Sequence, residues 1–238
     1  MKPIETEAAP VEGMVSSISP ARHVIWTRPA LYEEPVGGRA KRAIDVAVAL
    51  VMLVVLSPLM AGLALLVYST SPGPILYRHR RVGYRKQPFS CLKFRTMEVN
   101  SAEILQRHLQ QNPEARFEWE QTQKLRDDPR VTPVGHVLRK FSLDELPQLY
   151  NVLRGEMSLV GPRPVPSEEL HRYGPSSRYY LRARPGVTGL WQVNGRNNTT
   201  YKRRIAYDRV YVANVSMAND IVILVRTLPA AMRSDETS

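Results

Sequence analysis

A run of 26 residues, Ala43 to Tyr68, constrains this chain more than any other feature. It reads AIDVAVALVMLVVLSPLMAGLALLVY, with Asp45 as its only charge. As a helix it is long enough to cross a bilayer. Two features set it apart from a plain span. Ser57-Pro58 sits at its middle. Pro58 has no N–H for the carbonyl of Val54 and its ring crowds that turn, so a bend is expected, and the Ser57 hydroxyl can rebond a freed carbonyl. Both flanks are also basic: Arg39, Lys41 and Arg42 before, Arg78, Arg80 and Arg81 after. Positive charge is retained on the cytoplasmic side. Two basic flanks fit a segment that dips into one leaflet and returns; a true span and a buried core helix are the alternatives. Asp45 is costly in lipid unless paired. Lys41 and Arg42 lie one turn before it, and the three read as a structural, interfacial cluster.

The rest of the chain is polar and basic. Lys and Arg outnumber Asp and Glu 33 to 22, a net charge of +11. The partners of such a chain are anionic: nucleic acid, a membrane face or phosphorylated substrates. Cys91 is the only cysteine, so no intrachain disulfide can form; it reads as a small apolar filler. No glycine-rich nucleotide loop and no H-x-x-x-H pair is present, which argues against a Rossmann site and a histidine metal site. Four segments are expected: a disordered tail over 1–38, which is no secretory signal, the membrane helix over 39–71, a polar, basic domain over 72–228 and a loose tail over 229–238. Ile75–Tyr77 and Phe89–Phe94 lean toward strands. The spacing predicts helices over Ala102–Arg126, interrupted at Asn112-Pro113, and over Val134–Lys140.

Chemistry concentrates in Phe141 to Pro164, FSLDELPQLYNVLRGEMSLVGPRP. Ser142 with Glu145 has capping-box spacing, and Pro147 is tolerated early in a helix. Asp144 and Glu145 are therefore expected at a helix N-terminus, where the dipole keeps a carboxylate ionised. Such a group can be a nucleophile or a metal ligand; plain helix capping is the alternative. Adjacent helical residues point about 100° apart, which argues against a glycosidase pair facing across one bond. Arg163, held between Pro162 and Pro164, suits bidentate phosphate binding. Arg139 lies close enough to hold a phosphoryl oxygen or keep Asp144 ionised. Arg196, after the Asn194-Gly195 turn, is a further phosphate-binding candidate. Trp191 can stack on a base or sugar, sit at the membrane interface or fill the core.

SLDELPQL-N-L-GEMSLVGPRP resembles the signature of the monotopic polyprenyl-phosphate phosphoglycosyl transferases, a bacterial sugar transferase family. Three more stretches match: Lys41-Arg42-Ala43-Ile44-Asp45, Lys93-Phe94-Arg95-Thr96-Met97 and Arg184 to Gln192. The likeness runs from about Lys41 to Thr227 and is strongest to the forms that initiate exopolysaccharides with galactose or glucose 1-phosphate. It implies an α+β, mainly helical fold: a re-entrant helix-break-helix, a small cytoplasmic catalytic domain and C-terminal interfacial helices. It implies attachment to the cytoplasmic face of the bacterial inner membrane. The reaction implied is transfer of sugar 1-phosphate from a UDP-sugar to undecaprenyl phosphate, releasing UMP through a phospho-aspartyl intermediate. Asp144 would be the nucleophile, Glu145 the Mg²⁺ ligand, and Lys93, Arg95, Arg139 and Arg163 the phosphate cradle. The lipid bilayer is a partner and nucleic acid is not; pairing into a homodimer is left open. A membrane-attached nucleic-acid binder, a catalytically silent scaffold of a polysaccharide assembly complex and a UDP-releasing glycosyltransferase are the rivals. No residue distinguishes galactose from glucose, and the lean to galactose rests on the resemblance.

Overall fold

A computed structural model describes residues 34–122, 124–195 and 199–232. Helix α1 (Gly38–Thr70) carries the apolar run and remains one helix through Pro58, where a break between two helices was expected. Its lost hydrogen bond is replaced locally: Ser57 Oγ donates to the Val54 carbonyl at 2.7 Å. Ala49 is fully buried, and Val48, Leu53 and Leu56 pack beside it on the main core. Beyond the proline, Met60, Leu63 and Ala64 pack on a second cluster of Val67, Phe94 and Leu138. Between these ends Val54 and Val55 are 66% and 69% exposed, which excludes a buried core helix. By length and composition α1 can cross a membrane.

The start of α1 is tied down by charge. Lys41 Nζ meets Asp220 Oδ2 at 2.6 Å and Asp45 Oδ1 at 3.7 Å, all three side chains at most 10% exposed. Asp45 also accepts from Ser158 Oγ and the Leu159 N–H. Arg42 donates to the carbonyls of Val152 and Leu153. The expected tail ends earlier than Gly38: the Val36 N–H donates to the Arg182 carbonyl, and Val36 packs on the core. Residues 1–33 of that expectation lie outside the described residues.

Strands β1 (Leu76–Val82) and β2 (Pro88–Phe94) form an antiparallel hairpin, with Tyr77 opposite Lys93 and Arg78 opposite Leu92. Alternation sends Tyr77, His79, Arg81, Cys91 and Lys93 to one face, and Leu76, Arg78, Arg80 and Leu92 to the other. Helices α2 (Ser101–Gln111) and α3 (Pro113–Thr122) follow, separated at Asn112 as expected. Helix α4 (Pro133–Lys140) is capped by Thr132, whose Oγ1 accepts from the Gly135 N–H at 2.9 Å. Helix α5 (Gln148–Arg154) ends at Gly155, in the left-handed region with φ 81°. Asn151 on α5 is nearly fully buried and works as a substitute strand edge. Its Oδ1 accepts from the Leu92 N–H and its Nδ2 donates to the Ser90 carbonyl, so α5 is docked along β2.

Strand β3 (Ser158–Val160) pairs in parallel with β4 (Gly186–Thr188). A β-carbon on Gly186 would overlap the backbone of Gly161, so this pairing needs glycine. Short helices α6 (Ser167–Leu170), α7 (Ser177–Tyr180) and α8 (Leu190–Val193) connect to α9 (Tyr201–Ala213) and α10 (Met217–Met232). Helix α10 runs through Pro229, where a loose tail was expected, because only one hydrogen bond near a helix end is lost there. It buries Ile223 and leaves Ile221, Val222 and Val225 outward. The fold is mostly helical with small sheets.

Candidate active site

The acidic pair lies on a single 3₁₀ turn, Leu143–Glu145, that precedes α5. The expected capping box is not made: Ser142 is left-handed, with φ 55°, and its side chain caps nothing. Leu143 and Leu146 explain this. Both pack on Val67, Phe94 and Leu138, and their three-residue spacing suits a 3₁₀ turn. The turn presents Asp144 inward, 7% exposed, with Glu145 nearer the surface.

Lys93 joins the two acids from the inner face of the hairpin. Its Nζ lies 2.7 Å from Glu145 Oε1 and 3.5 Å from Asp144 Oδ2. Burial opposes the Lys93 charge, but Glu145 and Asp144 outweigh it and raise the ammonium's pKa. The carboxyls are driven apart. Burial pushes Asp144 above the usual aspartate value; Lys93 pulls it back, and the charge of Glu145 adds to the rise. This direction is opposite to the one expected from a helix dipole, because Asp144 is desolvated and sits on a 3₁₀ turn. Burial also acts on Glu145, yet the Lys93 ammonium and its hydrogen bond, with Arg163 and Arg81 beyond, hold it below the usual glutamate value. One carboxylate is thus firmly ionised and its neighbour is made more basic, a division that suits two different tasks.

Cations surround the pair. Arg139, on α4, donates through Nε to Thr96 Oγ1 at 2.9 Å, and its charge favours ionised Asp144. Arg163 lies over the Trp191 ring at 5.4 Å, and Arg204 over the same ring at 4.8 Å. Trp191 is buried beneath these two guanidinium groups, not exposed as a membrane-interface residue would be. Burial, and then the nearness of Arg163, lowers the pKa of Arg81, Arg204 and Lys124 alike. Such crowding of positive charge favours an incoming polyanion.

Asp208 holds the Arg163 loop from behind. Its carboxylate accepts from Tyr173 OH at 2.8 Å and from the Arg163 N–H, and burial lifts it to about 7.

One sequence candidate falls outside this cluster. Arg95 is buried with its guanidinium donating to the Ser71 carbonyl at the end of α1, not to the acids. The reason is that β2 ends at Phe94 and the chain then turns away toward Thr132. Arg196 lies outside the described residues. Conversely, the sequence reading placed none of Arg81, Lys124 and Arg204 in the site, and took Arg81 as a flank of the apolar run. Arg81 carried a usable signal, since it shares the hairpin face of Lys93 once the strands are paired. Lys41, Arg42 and Asp45 stand with Asp220, in the tie between α1 and the core described above.

Among the described residues no group of three or more His, Cys, Asp or Glu could cage a metal. The site offers only the carboxylates of Asp144 and Glu145, amid cations suited to phosphate. That donor set fits Mg²⁺ in its usual mode, held by one or two carboxylates plus substrate phosphates and water.

A family model described as bacterial sugar transferase matches residues 36–234. The chain is 53% identical to the exopolysaccharide production protein ExoY of Sinorhizobium fredii, over 84% of this chain and 88% of that protein. It is 50% identical to the undecaprenyl-phosphate galactose phosphotransferase of Salmonella typhimurium, over 82% of this chain and 41% of that protein. It is also 39% identical to the UDP-glucose:undecaprenyl-phosphate glucose-1-phosphate transferase of Caulobacter vibrioides, over 82% and 70% respectively. With both acids, Lys93 and the Arg163 loop inside the matched span, the chain belongs to the bacterial sugar transferase family.

Proposed function

We propose that this protein transfers a sugar 1-phosphate from a UDP-sugar to undecaprenyl phosphate, releasing UMP, as the first step of exopolysaccharide repeat assembly. The observation that carries the reading is Lys93 bridging a buried, more basic Asp144 and a firmly ionised Glu145 within a ring of cations. The names of the similar proteins from Salmonella and Caulobacter support the acceptor, and that of ExoY the pathway.

Asp144 attacks the phosphorus that bears the sugar. A carboxylate–phosphorus bond forms, the bond from that phosphorus to the bridging oxygen breaks, and UMP departs with the electron pair. The lipid phosphate then attacks the same phosphorus, and Asp144 leaves as carboxylate. The products are undecaprenyl diphospho-sugar and UMP. Burial raises the basicity of Asp144 and so favours its attack, while Lys93 limits the charge that must be brought together. Arg139, Arg163, Arg81 and Lys93 cradle phosphoryl oxygens. Glu145 would hold Mg²⁺, which when bound neutralises phosphoryl charge.

Helix α1 dips into the cytoplasmic leaflet of the inner membrane with Pro58 innermost. Its exposed apolar middle, and its two ends packed on the same domain, support this reading. Galactose is favoured as the sugar, on the higher identity to the galactose-named relative.

Nucleotide release tests the whole reading. Purified protein receives undecaprenyl phosphate, Mg²⁺ and, separately, UDP-galactose, UDP-glucose and N-acetylated UDP-sugars. UMP with one donor is expected; UDP would mean ordinary glycosyl transfer, and no release from folded protein would favour a scaffold. Asp144→Asn should reduce turnover by more than about 1000-fold, and near-normal activity in that variant removes Asp144 as nucleophile.

A further inference from the structure

The inner face of the β1–β2 hairpin carries a side chain that has no part in the phosphate cradle. His79 lies between Tyr77 and Arg81 along that face, opposite Cys91 and diagonal to Lys93. It is half-buried, and its Nδ1 lies 3.1 Å from Arg81 Nη2. A guanidinium can only donate, so Nδ1 accepts and the ring's own N–H sits on Nε2. Burial, then the charges of Arg81 and Lys93, lower the His79 pKa against the opposite pull of Glu168 and Glu169, which keeps the ring neutral at pH 7. Among the described residues the Nε2–H has no hydrogen-bond acceptor.

His79 is joined to the acidic turn from two sides. Lys93, whose charge reaches His79, holds Glu145 and Asp144 directly. Arg81, its hydrogen-bond partner, also acts on Glu145. The remaining neighbours are of a different kind. Tyr77 is exposed and meets the imidazole edge-on, with ring centroids 5.6 Å apart. Helix α6 packs beside β1 and brings Glu168 and Glu169 near enough to act on His79. Glu169 is oriented by the Tyr201 hydroxyl at 3.2 Å, and Glu168 is exposed. Carboxylates repel phosphate oxygens, so this end of the face does not extend the cradle. They accept well from hydroxyls. A neutral N–H donor, carboxylate acceptors and an aromatic edge together suit a polyhydroxyl group. In a nucleotide sugar, the sugar is joined through one oxygen to the phosphorus that faces Asp144. It therefore lies beside whatever cradles that phosphorus.

We propose that His79 is a specificity-determining residue of the donor site, its Nε2–H donating to one hydroxyl of the sugar while Glu168 accepts from another. The inference rests on the phosphotransfer reading above and adds the residue that reads the sugar. Arg81 holds the imidazole through Nδ1, so the direction of the Nε2–H is set before the donor arrives. One hydroxyl configuration meets it and the epimer's does not. A site built to bond a hydroxyl discriminates against a substrate that leaves it unpaired. The preference between galactose and glucose, which differ at one hydroxyl, then has a physical source.

The test is donor binding to the full chain in detergent with Mg²⁺, in an Asp144→Asn background so that no donor is consumed. UDP, UDP-galactose and UDP-glucose are titrated by calorimetry against this parent and against the parent carrying His79→Ala or Glu168→Gln. The parent should bind one UDP-sugar more tightly than the other. His79→Ala should weaken that sugar's binding about tenfold and shrink the difference between the two sugars, with UDP affinity kept within about twofold. Glu168→Gln, at an exposed position, should weaken the same sugar by about threefold and again spare UDP. Equal loss for UDP and UDP-sugar would mean that His79 only orients Arg81 toward the phosphates, and overturns the proposal. So does an unchanged preference in both variants, or a parent that binds both sugars alike or neither. The nucleotide released by wild type with undecaprenyl phosphate is measured in parallel. UDP in place of UMP would overturn the phosphotransfer reading, while the binding comparison would still judge His79.

Discussion

Asp144, Glu145 and Lys93 form a coupled charge system, and the coupling has a sign that can be measured. Lys93 lowers the pKa of both carboxyls, against the upward push of burial on each. Removing its charge by Lys93→Ala raises both. Since the proposed attack requires ionised Asp144, the acid limb of the pH–rate profile should move to higher pH. An unmoved limb with reduced kcat would mean that Lys93 acts on substrate alone. The acids were legible in the sequence because adjacent carboxylates before a helix are conspicuous. Lys93 was legible as a cation but not as their bridge, since that depends on which hairpin face it occupies. The 3₁₀ turn was not legible at all. Ser142 and Glu145 have the spacing of a capping box, and only the pull of Leu143 and Leu146 into the cluster around Leu138 overrides it. Arg95 was misassigned for a related reason: two residues past Lys93, it would share its face if the strand continued beyond Phe94.

At the scale of elements, the fold depends on polar groups that staple helices to backbone. Lys41 sits between Asp45 and Asp220, with all three side chains shielded. Lys41→Ala leaves two acids in a site built for a cation, so it should cost about 3–5 kcal/mol of stability. A thermal or denaturant midpoint close to wild type would show that the pair relaxes into solvent. The half of this staple within α1 was readable, because Lys41 and Asp45 lie one helical turn apart. Asp220 was not, since nothing local relates it to a residue 179 positions earlier. The same limit hid Asn151, whose amide stands in for a neighbouring strand along β2. Periodicity marks Leu149, Val152 and Leu153 as core, but says nothing about a polar residue between them.

For the whole molecule, the question is how a domain with its acidic pair at Asp144 and Glu145 relates to an apolar helix packed against it at both ends. Dipping into one leaflet returns both ends to one side of the membrane; a span separates them. Cys91 is buried and burial pushes its thiol up to about 11, so the chain has little background thiol reactivity. Arg39→Cys and Ser69→Cys, made singly at exposed positions near the two ends of α1, should therefore report topology. Both should react with an impermeant maleimide from the cytoplasmic side of sealed vesicles, and labelling from opposite sides would establish a span. The apolar helix described above also has a kinetic consequence. If α1 holds the domain at a bilayer and the acceptor is the lipid proposed above, each substrate can remain in its own phase throughout the reaction. No carrier molecule needs to be lifted out of the membrane. Turnover at saturating donor then follows the mole fraction of acceptor in the bilayer, as surface dilution, and is indifferent to the total amount of membrane in the tube.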